Sequence, residues 1–382
     1  MDTGLGRRPL DGVRVVTFAQ NFQGPYATMV LADLGADVIV VERPATGDPA
    51  RSQPGMFAAL NRGKRSVTLD LKSPEDQETA FRLACTADVL FESYRPGSMA
   101  RFGLGYPRLS AAHPGLVYVS VSGFGQDGPY RDRPGHELMY QATAGALDAL
   151  CDRPEPAIPP PPGPETGAMA GALYAALGAL VGLVGRGATG CGTYVDLSTH
   201  EALMSLLALR FERELNAPAA ATAPPGREPG YGLYRCADGL LICLGIGFED
   251  HFWARLCEVT GLAGYASLRR HERWPRAGEL TGELARVLAS RTRARWQDAF
   301  DRAGIPASPV HRVGEALRDP HALSRQVVRS MPGRASPRYV RQPLRLSAYT
   351  EPTPAPAPLL GEHTASVLRE LGASAIPRGG NS

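Results

Sequence analysis

The chain has 382 residues, 43% of them hydrophobic and 21% charged, with a formal net charge of +3. That length allows two domains, or one large elaborated domain, with a real core, and the composition is ordinary for a globular chain. So small a positive charge gives no argument for a nucleic-acid partner, and none is expected.

Gly (43) and Pro (34) are both abundant, which implies many turns and long loops. The six cysteines, Cys85, Cys151, Cys191, Cys236, Cys243 and Cys257, include no C-x-x-C pair, so neither a metal site nor a redox pair is expected. The opening MDTGLGRRPLDG has no apolar h-region, and cytoplasmic residence with free thiols is the expectation. The most apolar stretch, GAMAGALYAALGALVGLVG (167–185), consists mostly of Ala and Gly. It reads as a tightly packed buried helix and not as a membrane span.

In chain order, VRVVTFA (13–19) reads as a strand, PYATMVLADLG (25–35) as a helix opened by Pro25, and ADVIVVE (36–42) as the next strand. SVTLDL (66–71) follows, then a helix from Ser73-Pro74-Glu75-Asp76 to Cys85, with further strands at 87–93 and 116–125. Apolar strands alternating with helices imply a parallel sheet covered on both faces, with a ligand crevice at the strand ends. The turn after the first strand, AQNFQGP, has a single glycine where a dinucleotide fingerprint needs three, so NAD or FAD binding is not supported.

Residues 148–165 are proline-rich. The small-residue helix and a strand at 192–198 come next, with a helix capped by Ser198 or Thr199. Residues 216–230 read as a linker, and 231–246 as a hairpin turning at Ala237-Asp238-Gly239. Helices are expected at about 249–260, 280–292 and 293–304, with IPASPVHRV leading on to another and a last amphipathic helix at 361–372. The domain reading is a large domain at 1–215, a linker at 216–230, a small domain at 231–325 and a C-terminal segment at 326–382 that returns to the large domain.

One stretch, GFGQDGPYRDRPGHELMYQATAGAL (123–147), crowds turn residues in front of His136. A satisfied loop histidine is the ordinary reading of a lone His; a base at a helix start is the sharper one.

Several long stretches carry a family resemblance: LDGVRVVTFAQNFQGPYATMVLADLGADVIVVERPATGD (10–48), ALNRGKRSVTLDLKSPED (59–76), YRPGSMARFGLGYPRL (94–109), VYVSVSGFGQDGPYRDRPGHE (117–137), GIPASPVHRVGEALRDPHAL (304–323) and LGEHTASVLRELG (360–372). On these the chain resembles the CaiB/BaiF family, the class III CoA-transferases, and within it the α-methylacyl-CoA racemases. The resemblance implies an α/β fold: a Rossmann-like parallel-sheet large domain plus a smaller α+β domain, in an interlocked homodimer. It implies an acyl-CoA substrate, with coenzyme A bound as part of that substrate and no tightly held cofactor or membrane partner. CoA is a polyanion, so basic residues in the matching stretches become candidates for it: Arg43, Arg65, Lys72, Arg95 and Arg101, with Tyr94 near the adenine. For each arginine alone, a solvated surface charge is an equal explanation.

By the same resemblance, His136 matches the α-proton base of the racemases, and Glu249 matches the small-domain carboxylate paired with it. Glu249 is also explained as an acid favoured at a helix start. The family places an Asp in a turn before the small-residue helix, as nucleophile in transferases and as second acid/base in racemases. Here that region reads PPPPGPETGAMAG (159–171), with Gly163 or a proline at the Asp position; Glu165 is the closest acid and Glu155 lies well upstream. Three functions follow: an enolate-forming, racemase-like acyl-CoA enzyme using His136, Glu249 and Glu165; a CoA-transferase using Glu165; and a family member without the ancestral activity. The His136–Glu249 pair favours the first over the second, and the absent Asp favours the third.

Overall fold

Six short apolar runs pair into one sheet: β1 (Arg14–Thr17), β2 (Asp37–Glu42), β3 (Arg65–Thr68), β4 (Val89–Glu92), β5 (Val117–Ser122) and β6 (Tyr194–Ser198). The structure is a computed structural model that describes residues 8–53, 55–150, 165–216, 228–332, 337–349, 351 and 353–374. The proline-rich segment at 148–165 and the linker at 216–230 lie largely outside the described residues, as does Gly163.

The strand order is β3-β2-β1-β4-β5-β6 and every pairing is parallel. Parallel neighbours need crossovers, supplied by α1 (Gln23–Asp33), α2 (Pro74–Ala84), α3 (Ser98–Arg101), α4 (Glu137–Thr143) and α5 (Thr166–Thr189). Side chains alternate between two cores: Val16, Ile39 and Leu90 enter one, Val15, Val38 and Val89 the other. The order reverses between β1 and β4, which opens a crevice at their carboxyl ends.

Two close approaches depend on glycine. A Cβ on Gly24 would lie 2.1 Å from the Ala19 Cβ, so the turn from β1 into α1 closes only without one. A Cβ on Gly182 would lie 2.5 Å from Val117 Cγ1, which is how α5 lies down on β5. The composition predicts a tightly packed buried helix here; α5 is buried on its Ala/Gly face, while Leu173, Leu177, Val181 and Val184 are exposed. After β6, Ser198 Oγ accepts the Glu201 N–H and caps α6 (Thr199–Leu206).

By contacts the chain divides into two units, Met1–Asn216 with Val328–Ser382, and Ala217–Val327. In the first, β10 (Val328–Ser330) and β11 (Arg338–Val340) form a small antiparallel pair. The final helix, α10 (Thr364–Ser374), sits against β3: Val367 and Leu371 join the sheet core, and Thr364 Oγ1 accepts the Thr68 N–H.

In the second unit the hairpin of β7 (Tyr231–Arg235) and β8 (Leu241–Gly245) turns with Gly239 at φ 75°. It carries a third, antiparallel strand, β9 (Ala307–Pro309), inside a segment whose sequence gave no strand signal. Three helices, α7 (Asp250–Thr260), α8 (Ala277–Leu288) and α9 (Arg293–Ala303), cover the sheet over a core of Trp253, Trp296 and Phe300.

Candidate active site

The strand ends supply one candidate region. Residues just after β2, β3 and β4 line a cavity of about 350 Å³, among them Arg43, Thr46, Leu69, Lys72, Tyr94 and Phe102. That volume is within the range of small-ligand pockets, about 300–1,000 Å³. Arg43, Lys72 and Tyr94 thus meet in one place, although 51 residues of chain separate Arg43 from Tyr94. Arg43 Nη2 donates to Gln20 Oε1 (3.4 Å), Gln20 Nε2 to Tyr94 Oη (3.2 Å), and the Gln20 N–H to Ser93 Oγ (3.0 Å). These bonds tie the segments after β1 and β4 together across the point where strand order reverses. Tyr94 packs edge-on against Phe102 with centroids 5.8 Å apart, and burial raises its phenol.

Two buried carboxylates end β2 and β4. Burial alone would raise Glu42, but hydrogen bonds from Arg51, Ser66 and the Asp48 N–H hold it below its ordinary value. Glu92, at the end of β4, accepts the Ser120 hydroxyl and the Tyr94 N–H (2.8 Å). Burial pushes its carboxyl up to about 7 against those hydrogen bonds.

The other basic candidates differ in their surroundings. Arg101 Nη2 donates to Ser98 Oγ (2.9 Å); a Cβ on Gly97 would lie 3.7 Å from Arg101 Nη1 and 3.5 Å from Arg131 Nη2, so two guanidinia flank Gly97. Arg95 is exposed. The guanidinium of Arg65 is held by Asp37 (2.6 Å) and Glu370 (2.7 Å), where it joins β2, β3 and α10.

A second candidate region is at the start of α5. His136 is exposed as the N-cap residue of α4, and its own N–H donates to Met139 Sδ (3.3 Å). The turns in front of it seat Tyr140: its hydroxyl donates to the Gly135 carbonyl (2.7 Å), and a Cβ on Gly123 or Gly135 would lie 2.6 Å from its ring. Glu137, next in the chain, crosses to α5. Its Oε1 accepts the Gly167 N–H (2.7 Å) and Gln141 Nε2 (2.6 Å), and its Oε2 accepts the Ala168 N–H (2.8 Å). Orphan N–H groups at a helix start favour an anion in this way.

Glu165 is the exposed N-cap residue of α5; its side chain makes no capping bond, and its carbonyl accepts the Met169 N–H (2.8 Å). Glu249 lies in the second unit as the N-cap residue of α7, with Oε2 accepting the Phe248 N–H (3.0 Å). The neighbouring Asp250 pairs with Arg273 at 2.7 Å.

Sequence reasoning passed over Glu137, Gln141 and Glu92. The only signal for the first two was their i,i+4 spacing in the motif that carries His136.

Residues 10–364 match the model of CoA-transferase family III. The chain belongs to CoA-transferase family III. It is 33% identical to a succinyl-CoA–D-citramalate CoA-transferase of Chloroflexus aurantiacus, over 95% of this chain and 94% of the relative. It is 31% identical to an acetyl-CoA:oxalate CoA-transferase of Acetobacter aceti, over 96% of each. A CaiB/BaiF family protein from Brucella suis superposes with a TM-score of 0.84 at 29% identity, covering 95% of this chain and 99% of that one. The parallel six-stranded sheet is therefore the family's fold. These curated family III relatives are named as CoA-transferases and not as racemases, so within the family the transferase alternative has more support than the racemase reading drawn from His136.

Proposed function

We propose that this chain is a CoA-transferase that moves CoA from an acyl-CoA to a free carboxylate. The observation that carries the proposal is the cavity at the carboxyl ends of β2, β3 and β4, where Arg43, Lys72 and Tyr94 converge. Two cations suit phosphate oxygens, and an aromatic face suits a purine. Arg95, before α3, and Arg101, its last residue, add to the basic groups that follow β4; Arg65 is spent on its two carboxylates. The relatives act, by their names, on succinyl-CoA or acetyl-CoA with citramalate or oxalate, and a short dicarboxylate is the acceptor class proposed here.

Transfer needs an enzymic carboxylate to hold the acyl group or the CoA between half-reactions. Two carboxylates, Glu137 and Glu165, belong to the region where α5 starts. His136, exposed one residue before Glu137, is the acid/base candidate of the same region, and Glu249 is the second unit's candidate to orient it. We retain the homodimer as part of the proposal: a second copy would cover the exposed row of Leu173, Leu177, Val181 and Val184 on α5.

The test is a matrix of succinyl-CoA and acetyl-CoA against short dicarboxylates, read by mass spectrometry. The expected result is a new acyl-CoA formed in equal amount with the freed acid. Hydrolysis alone, or no new thioester with any pair, would overturn the proposal.

A further inference from the structure

We propose that Glu137 is the carboxylate that carries the acyl group and then the CoA. The inference rests on the transferase reading. It starts from how differently the two carboxylates of this region are held. Glu165 is exposed and its side chain makes no capping bond. Glu137 is half-buried and fixed by three donors, two on Oε1 and one on Oε2. Its orientation is therefore set before any substrate arrives, which is what a reacting group needs.

The neighbours point the same way. Gln141 is fully buried and donates to Glu137 Oε1 and to Thr166 Oγ1 (3.1 Å), yet its own Oε1 has no hydrogen-bond partner among the described residues. A buried acceptor left unpaired costs stability, and such groups concentrate where function demands them. Gly167 lets the carboxylate lie close over the helix start: a Cβ there would lie 3.1 Å from Oε1 and 3.2 Å from Oε2. One helical turn on, Gly171 faces Gln23 and Thr199, whose hydroxyl donates to Gln23 Oε1 (3.0 Å). The polar row thus continues along α5 from the carboxylate.

The asymmetry assigns the oxygens. Oε2, with one donor, attacks the thioester carbonyl; its C–S bond breaks and CoA leaves as thiolate, giving a mixed anhydride on Glu137. The thiolate then adds to Cδ, the Cδ–Oε2 bond breaks, the donor acid leaves as carboxylate, and Glu137 is now a CoA thioester. During that addition Oε1 gains negative charge while still facing the Gly167 N–H and Gln141 Nε2, an oxyanion hole already in place. The acceptor carboxylate attacks Cδ and expels CoA thiolate. The thiolate then attacks the acceptor's carbonyl, giving the new acyl-CoA and free Glu137. The second anhydride's bridging oxygen stays on Glu137, so one acceptor oxygen is passed to the enzyme.

The test uses the whole chain with succinyl-CoA, quenched with borohydride, which reduces an enzyme-bound thioester to an alcohol located by fragment-ion mass spectrometry. New acyl-CoA is measured in parallel with a dicarboxylate acceptor. The alcohol is expected at Glu137, and Glu137→Gln is expected to lower transfer about a thousandfold or more. Transfer with the alcohol at Glu165 or elsewhere overturns the inference and leaves the transferase reading standing. Absence of transfer with every acceptor overturns both. If Glu137→Gln fails to fold, the position of the alcohol in the unmodified protein still decides.

Discussion

Glu92→Gln isolates a buried carboxyl whose hydrogen-bond donors, the Ser120 hydroxyl and the Tyr94 N–H, are both neutral. Glu92 is 4% exposed, and burial lifts its carboxyl from 4.5 to about 7. Because the folded value lies above the unfolded one, the native state holds this proton more tightly than the unfolded chain. The resulting stability is fully present below about pH 4.5 and is lost as pH rises through about 7. A gap of roughly 2.5 units at 1.36 kcal/mol each makes the ionised form cost the native state about 3 kcal/mol. Glutamine is neutral throughout, nearly isosteric, and still able to accept the Tyr94 N–H. Urea unfolding of both proteins, followed by circular dichroism at pH 5 and pH 8, reads the difference. The variant is expected to gain about 3 kcal/mol on the wild type between the two conditions, and to be the more stable at pH 8. A wild-type minus variant difference that does not change with pH would refute the reasoning.

Arg43→Ala and Lys72→Ala are each expected to weaken CoA binding by about 1–3 kcal/mol, read by calorimetry, as charge-assisted bonds to phosphate are lost; unchanged affinity in both would remove CoA from the cavity. Leu177→Glu with Val181→Glu places two charges in the exposed row of α5, and light scattering is expected to show the proposed dimer replaced by monomer; an unchanged mass would clear that face of the proposed interface. Asp33→Asn breaks the ion pair with Arg62 at 2.5 Å, whose side chains are 8% and 4% exposed. Leaving that guanidinium buried without its carboxylate should cost about 3–5 kcal/mol in unfolding experiments, and a loss under 1 kcal/mol would show the pair to be dispensable.

Much of the large unit was legible locally. The strands at 13–19, 36–42, 87–93 and 116–125 and the helix from Ser73 are signalled by apolar runs and breakers near their own ends. Strand order was not, because it depends on which crossovers pack where, and nothing in β4's own residues says that it lies beside β1. The strand β9 escaped because Ala307-Ser308-Pro309 has neither alternation nor β-branched residues. In α5, composition hid the pattern: Ala and Gly suggested burial all round, while Leu173, Leu177 and Val181 recur every four residues and mark one outer face.

The site divides in the same way. Arg43, Lys72 and Tyr94 were named through resemblance, since no local feature of three separated polar residues says that they share a cavity. Glu137 stood next to the residue that drew notice. Two of its three partners are backbone groups 30 and 31 residues away, which have no side-chain signature in the sequence.

The most direct test of CoA transfer as the activity is one reaction with two readouts. The enzyme is incubated in D2O with succinyl-CoA and a short dicarboxylate, and the CoA esters are analysed for both acyl identity and α-deuterium. Formation of the acceptor's CoA ester, faster than any deuterium enters the α-position of succinyl-CoA, is the expected result. Deuterium entering the α-position without a new CoA ester, and lost in His136→Ala, would contradict transfer and return the chain to proton chemistry.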